Sequence, residues 1–150
     1  ILGLGVLLGA DIVTGVAGAA GIVAVGILFS LWFVAFSNAV AIITRDQEST
    51  IISANLLQFP LLFLSSAFLP LEALPGWIQA FARVNPVTYG VDAARSLMVD
   101  QDVMTVIEVS WFGGTLDGVA PGVAVLIGID LALGAVAVTL LSRASSSDVK

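Results

Sequence analysis

The stretch GVAGAAGIVAVGILFSLWFVAFSNAVAII, residues 15–43, carries no charged side chain and decides the fold class. As a helix it would be about 43 Å long, more than the roughly 30 Å of a bilayer's hydrocarbon core. Apolar runs of spanning length recur at 50–70, which contains Pro60, and at 119–141, and residues 1–10 resemble the end of a truncated span. The pattern predicts an all-α integral membrane protein, built as a polytopic helical bundle.

The composition agrees with this fold class. Hydrophobic residues make up 59% of the 150-residue chain and charged residues only 11%, against roughly 25% in a soluble domain. A soluble fold of this size leaves about a third of its unfolded surface exposed, which is too much for so apolar a chain. The mean hydropathy of +1.10 therefore indicates a membrane protein. Ile1 opens inside an apolar run, so we expect a piece of a longer protein.

Several kinds of catalytic site are excluded by missing residue types. The sequence has no Cys and no His, so it forms neither a thiolate nucleophile nor a Ser-His-Asp triad, and we predict no metal site. Its one lysine is Lys150, so it has no P-loop, and any ATP would be hydrolysed by another polypeptide or by a segment that this sequence does not contain. The net charge of −6 argues against a nucleic-acid partner. We expect no enzyme activity and no cofactor in this chain.

The basic residues predict the orientation, because Lys and Arg favour the cytoplasmic side of a membrane. Arg45 lies in a very short loop, and Arg143 and Lys150 follow the last span, two spans later. The segment 71–118 between the last two spans holds two arginines diluted among several acidic residues. We therefore expect a multi-pass protein of the cell membrane, with Arg45 and the C-terminus in the cytoplasm.

Residues 74–98 predict a helical hairpin between the last two spans. Pro75 is typical of a helix start and precedes Trp77, the first residue of an apolar face, while Asn85 and Pro86 break this helix and start the next. Neither helix is long enough to span, so we expect the hairpin to lie in the outer leaflet or to dip into it.

Further side chains fit a hairpin at the membrane surface. Trp77 and Tyr89 are residue types that favour the membrane interface. Asp92 and Arg95 are three residues apart and could pair on the surface of the second helix.

Polar residues recur along the span predicted at 50–70. Asn55, Gln58 and Ser65 follow a helical spacing that puts them on one stripe. Because polar groups in hydrocarbon need partners, this stripe should face protein or a wet path. It could line a translocation path, or it could hold helices together without touching a substrate.

Asp130 lies inside the last predicted span, about 20 Å along the helix from Arg143. A charge near the bilayer centre costs roughly 2.5–3.5 kcal/mol on insertion scales, and the adjacent spans offer no Lys or Arg to pair with it. Asp130 could bind a cationic substrate or carry a proton. It could also be neutral and hydrogen-bonded to a neighbouring helix, or lie nearer the outer surface.

Four motifs together resemble the C-terminal half of the ABC-2-type permeases, most closely the daunorubicin- and multidrug-resistance-like exporters. They are Thr44-Arg45-Asp46, the run from Asn55 to Pro70, Leu74-Pro75-Gly76-Trp77, and the run from Asn85 to Arg95. The resemblance implies that residues 1–150 are the C-terminal part of one transmembrane domain. It also implies that the hairpin re-enters the membrane from outside.

This resemblance carries functional expectations. Permeases of this family are membrane subunits of ATP-driven exporters, pair with a second permease copy as a homo- or heterodimer, and dock on an ABC ATPase subunit that binds ATP and Mg²⁺. The expected cargo is a hydrophobic or amphipathic drug-like molecule, lipid or glycan. The ATPase would be touched by the loop of Thr44, Arg45, Asp46, Gln47 and Glu48, which on its residues alone could also be a solvated turn.

Two other functions stay open on the sequence. One is a secondary carrier coupled to protons or ions through Asp130, and the other is a membrane scaffold that transports nothing. A partner ATPase and nucleotide-dependent transport would favour the exporter, whereas dependence on a proton gradient would favour the carrier.

Overall fold

The structure is a computed structural model that describes residues 2–101, 103, 106–107 and 110–147, with the backbone alone at 141 and 143–147. Lys150 and the side chain of Arg143, which support the predicted orientation, lie outside the described part. The described residues form six α-helices and one turn of 3-10 helix: α1 (Leu2–Leu7), α2 (Gly15–Thr44), α3 (Gln47–Phe63), the 3-10 turn (Leu71–Ala73), α4 (Gly76–Ala82), α5 (Pro86–Val99) and α6 (Thr115–Ser147).

Two of these helices, α2 and residues 115–140 of α6, are long and apolar enough to cross a bilayer. Only 11% of the most apolar window of each helix is buried inside the protein. A soluble monomer rarely exposes an apolar patch larger than a few hundred Å², so these outward faces are suited to lipid. The chain is an all-α membrane protein, as predicted from its sequence.

The core lies where α2, α5 and α6 meet, and α3 packs against α2. Buried positions recur every seven residues along α2, a spacing typical of a left-handed helix pair: Gly18, Val25, Trp32 and Ala39. Val25 meets Tyr89 and Ala93 of α5 and Leu126 of α6 in one apolar cluster. The short helix α5 is therefore held between the two long ones.

The prediction of one helix over residues 50–70 is wrong for its last third. Helix α3 ends at Phe63, and residues 64–69 form turns and bends. The helix stops because side chains, instead of a further helical turn, bind its last carbonyl groups; the hydroxyl of Ser65 donates to the Leu62 carbonyl at 2.7 Å. Ser65 is thus not on a common helical stripe with Asn55 and Gln58.

The two short helices of the hairpin are confirmed as α4 and α5. The Asn85 side chain accepts a hydrogen bond from the Val87 amide at 3.0 Å, and Pro86 is the first residue of α5, as predicted. The expected surface position of α5 is wrong: Asp92 and Tyr89 are buried, because α2 and α6 cover this helix. Trp77 on α4 is exposed, and the depth of the hairpin in the membrane stays a prediction.

Candidate functional site

The turn between α2 and α3 has its backbone fixed by local hydrogen bonds. Arg45 adopts the left-handed conformation with φ 52°, and its amide donates to the Ala41 carbonyl at 2.9 Å. The Asp46 carboxylate caps α3 by accepting from the Ser49 amide at 2.8 Å. Thr50 donates its hydroxyl to the Asp46 carbonyl at 2.7 Å. Only two residues, both fixed by hydrogen bonds, therefore connect the two helices.

The side chains of this turn point into solvent. Thr44, Arg45, Asp46, Gln47 and Glu48 are all exposed. Hydrogen bonds from Ser49 hold the pKa of Asp46 below its ordinary value, so this carboxyl is ionised at neutral pH. The turn therefore presents a mixed-charge surface on a fixed backbone, which can contact a partner protein and can equally be solvated.

Asn85 joins the end of α3 to the start of α5. Besides capping α5, its side-chain amide donates to the Leu61 carbonyl at 2.6 Å and to the Leu64 carbonyl at 3.0 Å. The last carbonyls of a helix have no partner within that helix, and these bonds supply one at the end of α3. One side chain thus fixes two helix ends that are more than 20 residues apart in sequence.

Asp92 and Arg95 reinforce the same junction. The Ser66 hydroxyl donates to Asp92 Oδ1 at 2.7 Å, and both side chains are 0% exposed. Arg95 Nη1 lies 3.6 Å from Asp92 Oδ1, and Arg95 Nη2 donates to the Ser66 carbonyl at 3.2 Å. We call Asn85, Asp92, Arg95 and Ser66 the polar clamp.

The polar clamp gives three residues of the predicted hairpin motif a structural role within the chain. Asn85, Asp92 and Arg95 are drawn together on the turn after α3, and Tyr89 donates its hydroxyl to the Arg83 carbonyl at 2.6 Å. Pro75 precedes α4 and Trp77 is exposed, so neither joins the clamp. Sequence reasoning missed Ser66, although the pair of serines in an apolar run was a signal that could have found it.

A cavity of about 630 Å³ lies between α2, α3 and α5. Its wall includes the aromatic rings of Phe29, Trp32 and Phe33, and Gln58 of α3 reaches it. Asn55, placed by the sequence on the same stripe as Gln58, is exposed on α3 and is not among the lining residues. Of the predicted path residues, the structure therefore brings only Gln58 to this cavity.

Asp130 lies apart from the cavity, on α6. Both of its carboxylate oxygens are buried, and neither finds a hydrogen-bond partner among the described residues. It is one helical turn after Leu126, which packs in the core against α2 and α5. The hydroxyl of Thr88 on α5 is likewise buried and unpartnered in the described part of the chain.

Comparison with known proteins finds several curated relatives. The chain is 33% identical over 95 residues to the daunorubicin resistance ABC transporter permease protein DrrB1 of Streptomyces coeruleorubidus, covering 63% of this chain and 34% of that protein. It is 30% identical over 105 residues to a probable doxorubicin resistance ABC transporter permease protein, DrrC, of Mycobacterium tuberculosis, covering 70% and 38%. Nodulation protein J of Rhizobium meliloti is 30% identical over 79 residues, covering 53% and 30%.

The chain thus spans about a third of the length of these curated relatives. No solved structure matches it. The profile of one family, described as ABC-2 type transporter, matches residues 1–99, which include α1 to α5 and hence both the α2–α3 turn and the polar clamp. The chain belongs to the ABC-2 type transporter family.

Proposed function

We propose that the chain is the C-terminal part of the membrane-spanning permease subunit of an ATP-driven exporter. The observation that carries this proposal is family membership over residues 1–99, which contain a long apolar helix ending in an exposed, hydrogen-bonded polar turn. A separate ABC ATPase subunit would bind ATP and Mg²⁺ and hydrolyse the nucleotide, since this chain has no P-loop.

The α2–α3 turn would couple nucleotide hydrolysis to the spans. Arg45 and Glu48 offer charges of both signs to the ATPase, and the Asp46 cap holds the start of α3 firmly behind them. A push on this turn would move α2 and α3 together, because only Arg45 and Asp46 separate the two helices and hydrogen bonds hold both residues. The polar clamp would pass that movement from the far end of α3 to α5.

The proposed cargo is hydrophobic or amphipathic: a drug-like molecule, a lipid or a glycan. Support comes from the relatives, two of which are named for resistance to daunorubicin or doxorubicin. We further propose that transport runs out of the cell, that the permease pairs with a second copy or a close relative, and that the C-terminus is cytoplasmic.

Transport into inside-out membrane vesicles tests this proposal. Vesicles with the full-length permease and its ATPase should accumulate daunorubicin when ATP is added, and a proton ionophore should not stop the accumulation. A variant ATPase that binds but does not hydrolyse ATP is the control. Uptake that persists with this variant and collapses with the ionophore would contradict the exporter.

One observation favours a second candidate, a proton- or ion-coupled carrier. The buried carboxylate oxygens of Asp130 have no partner among the described residues, as expected for a group that exchanges a proton or cation. Replacing Asp130 by Asn keeps the shape and removes the titratable proton. Loss of gradient-driven transport in this variant, with ATP playing no part, would support the carrier.

A further inference from the structure

We propose that Trp111 and Phe112, in the loop between α5 and α6, insert into the interfacial layer of the bilayer, where lipid headgroups meet acyl chains, and anchor the start of α6 there. The two side chains are 85% and 62% exposed. This contact with lipid goes beyond the proposed function and does not depend on it.

Hydrogen bonds between helix ends place this loop at a membrane surface. Just before α2, the Val13 amide donates at 3.0 Å to the carbonyl of Met98, near the end of α5. At the start of α6, the Thr115 hydroxyl donates to the carboxylate of Asp100, the residue that follows α5. The two helices of spanning length, α2 and α6, therefore begin at the same level, which we assign to one surface of the membrane.

The direction and length of α6 support this level. Val25 lies ten residues after the start of α2 and Leu126 eleven after the start of α6, and the two meet in the core, so both helices run the same way. Residues 115–140 of α6 are about 39 Å long as a helix. A bilayer measures about 30 Å across its hydrocarbon core and about 40–45 Å with the headgroup regions. The loop that directly precedes α6 therefore lies in the interfacial layer.

The backbone of the loop is prepared for an apolar environment. The buried Asp117 carboxylate accepts from the Phe112 amide at 2.8 Å and from the Gly113 amide at 3.0 Å. On the other side of the aromatic pair, Val106 and Ile107 pack against the core where α2, α5 and α6 meet. An amide without a partner is costly in an apolar layer, so the two bonds from Asp117 let the loop enter lipid with these donors satisfied.

The side chains of the loop favour lipid over water. Residues 110–116 carry no charge, and Leu116, in the first turn of α6, is exposed like the aromatic pair. Removing large apolar side chains from water is favourable. Tryptophan collects in the interfacial layer, because its ring is apolar and its indole N–H can bind a polar group.

The test measures quenching of Trp111 fluorescence in the full-length permease in phosphatidylcholine nanodiscs. The Trp111 signal is the difference between the wild type and Trp111→Phe. Lipid brominated near the headgroup end of its acyl chains should quench this signal at least about twofold more than lipid brominated near the terminal methyl. Aqueous acrylamide should quench it less than it quenches free tryptophan. Trp32, which is 6% exposed and is measured through Trp32→Phe, is the matched control and should be quenched less than Trp111 by both agents.

A second variant tests the part that Asp117 takes. In Asp117→Ala the amides of Phe112 and Gly113 lose their acceptor, so their hydrogen exchange should become faster. Quenching of Trp111 by the lipid brominated near the headgroup should fall about twofold, because entry then leaves two donors unpaired. Glu72→Ala, at an exposed carboxylate, is the control and should change neither quantity. Unchanged values in Asp117→Ala would overturn the role of Asp117.

Each result with the wild type decides the proposal. Acrylamide quenching of Trp111 as strong as that of free tryptophan would place the ring in water and overturn the anchor. Protection from acrylamide and from both brominated lipids would show that protein covers the pair, either another part of the permease or a second copy, and would also overturn it. Stronger quenching by the deeper bromine would contradict the interfacial position. The exporter is tested separately by ATP-driven transport.

Discussion

The two ends of α3 are both stabilised by polar side chains, but in opposite ways. At the N-terminal end, Asp46 is exposed and bonds to Ser49, three residues away. At the C-terminal end, the buried side chains of Asn85 and Asp92 bond to residues that lie 21 or more positions earlier in the chain. The hydrogen bond at the first end is local, whereas those at the second end depend on the tertiary fold.

This difference separates two possible uses of polar residues in the family motifs. The exposed turn leaves its side chains free to contact a partner, so substitutions there should change function more than stability. The side chains of the polar clamp form hydrogen bonds with other parts of the same chain, so substitutions there should change stability more than function. Measuring both quantities for each variant tests the division.

The largest effect on stability should come from Asp92→Ala. Removing this carboxylate leaves the buried Ser66 hydroxyl without its acceptor and the Arg95 guanidinium without its counter-charge. We expect the free energy of unfolding of the full-length permease to fall by about 2–4 kcal/mol. Glu72→Ala, at an exposed carboxylate, is the control and should cost less than about 0.5 kcal/mol. Equal losses in the two variants would contradict a buried clamp.

Asn85→Ser should have the next largest effect. Serine still caps α5, but it lacks the amide that donates to the Leu61 and Leu64 carbonyls. We expect a loss of about 1–2 kcal/mol and faster amide hydrogen exchange after the end of α3. Exchange in the first turn of α5 should stay as in the wild type; faster exchange only there would show that Asn85 acts merely as a local cap.

A smaller, local effect is expected from Asp46→Ala. The variant should speed hydrogen exchange at Ser49 and leave the C-terminal end of α3 unchanged, while Asp46→Asn, which retains a capping oxygen, should stay near the wild type. The folded pKa of Asp46 lies below the ordinary value of 3.8, so its stabilisation is complete above that pH and is lost as pH falls through the folded pKa. If lowering the pH speeds hydrogen exchange at Ser49 as much in Asp46→Asn as in the wild type, this role of Asp46 is contradicted.

The smallest effect on stability should come from Arg45→Gly. Glycine adopts the left-handed conformation of this position without strain, so the backbone of the turn is preserved while the side chain is lost. We expect stability within about 0.5 kcal/mol of the wild type, and reduced stimulation of the partner ATPase by daunorubicin. Normal stimulation of the ATPase by this variant would contradict the assignment of Arg45 to the ATPase contact.

The same contrast explains what the sequence could predict. The long apolar runs predicted α2 and α6, and Asn85-Pro86 predicted the start of α5. Both features could be predicted because span length and capping depend on neighbouring residues. The end of α3 at Phe63 was missed because it is set by Asn85, 21 to 24 residues away along the chain. The burial of Asp92 was missed for the same reason, since its partner Ser66 lies on a separate segment.

The candidate site likewise has parts that the sequence could predict and parts that it could not. The polar turn around Arg45 could be found in the sequence because charge is rare in this chain and the loop is short. The cavity could not be found in the sequence, because it depends on the relative positions of α2, α3 and α5. Asp130 was visible as a lone acid in a span, and the structure adds that its oxygens are buried.

The most direct test of the exporter is to purify the tagged full-length permease from its native membrane and identify what accompanies it. We predict a P-loop ATPase in stoichiometric amount, retained by the wild type and released or weakened by Arg45→Gly. An intact, folded permease that purifies with no ATPase, and transports without ATP, would contradict the account and make Asp130→Asn the next variant to measure.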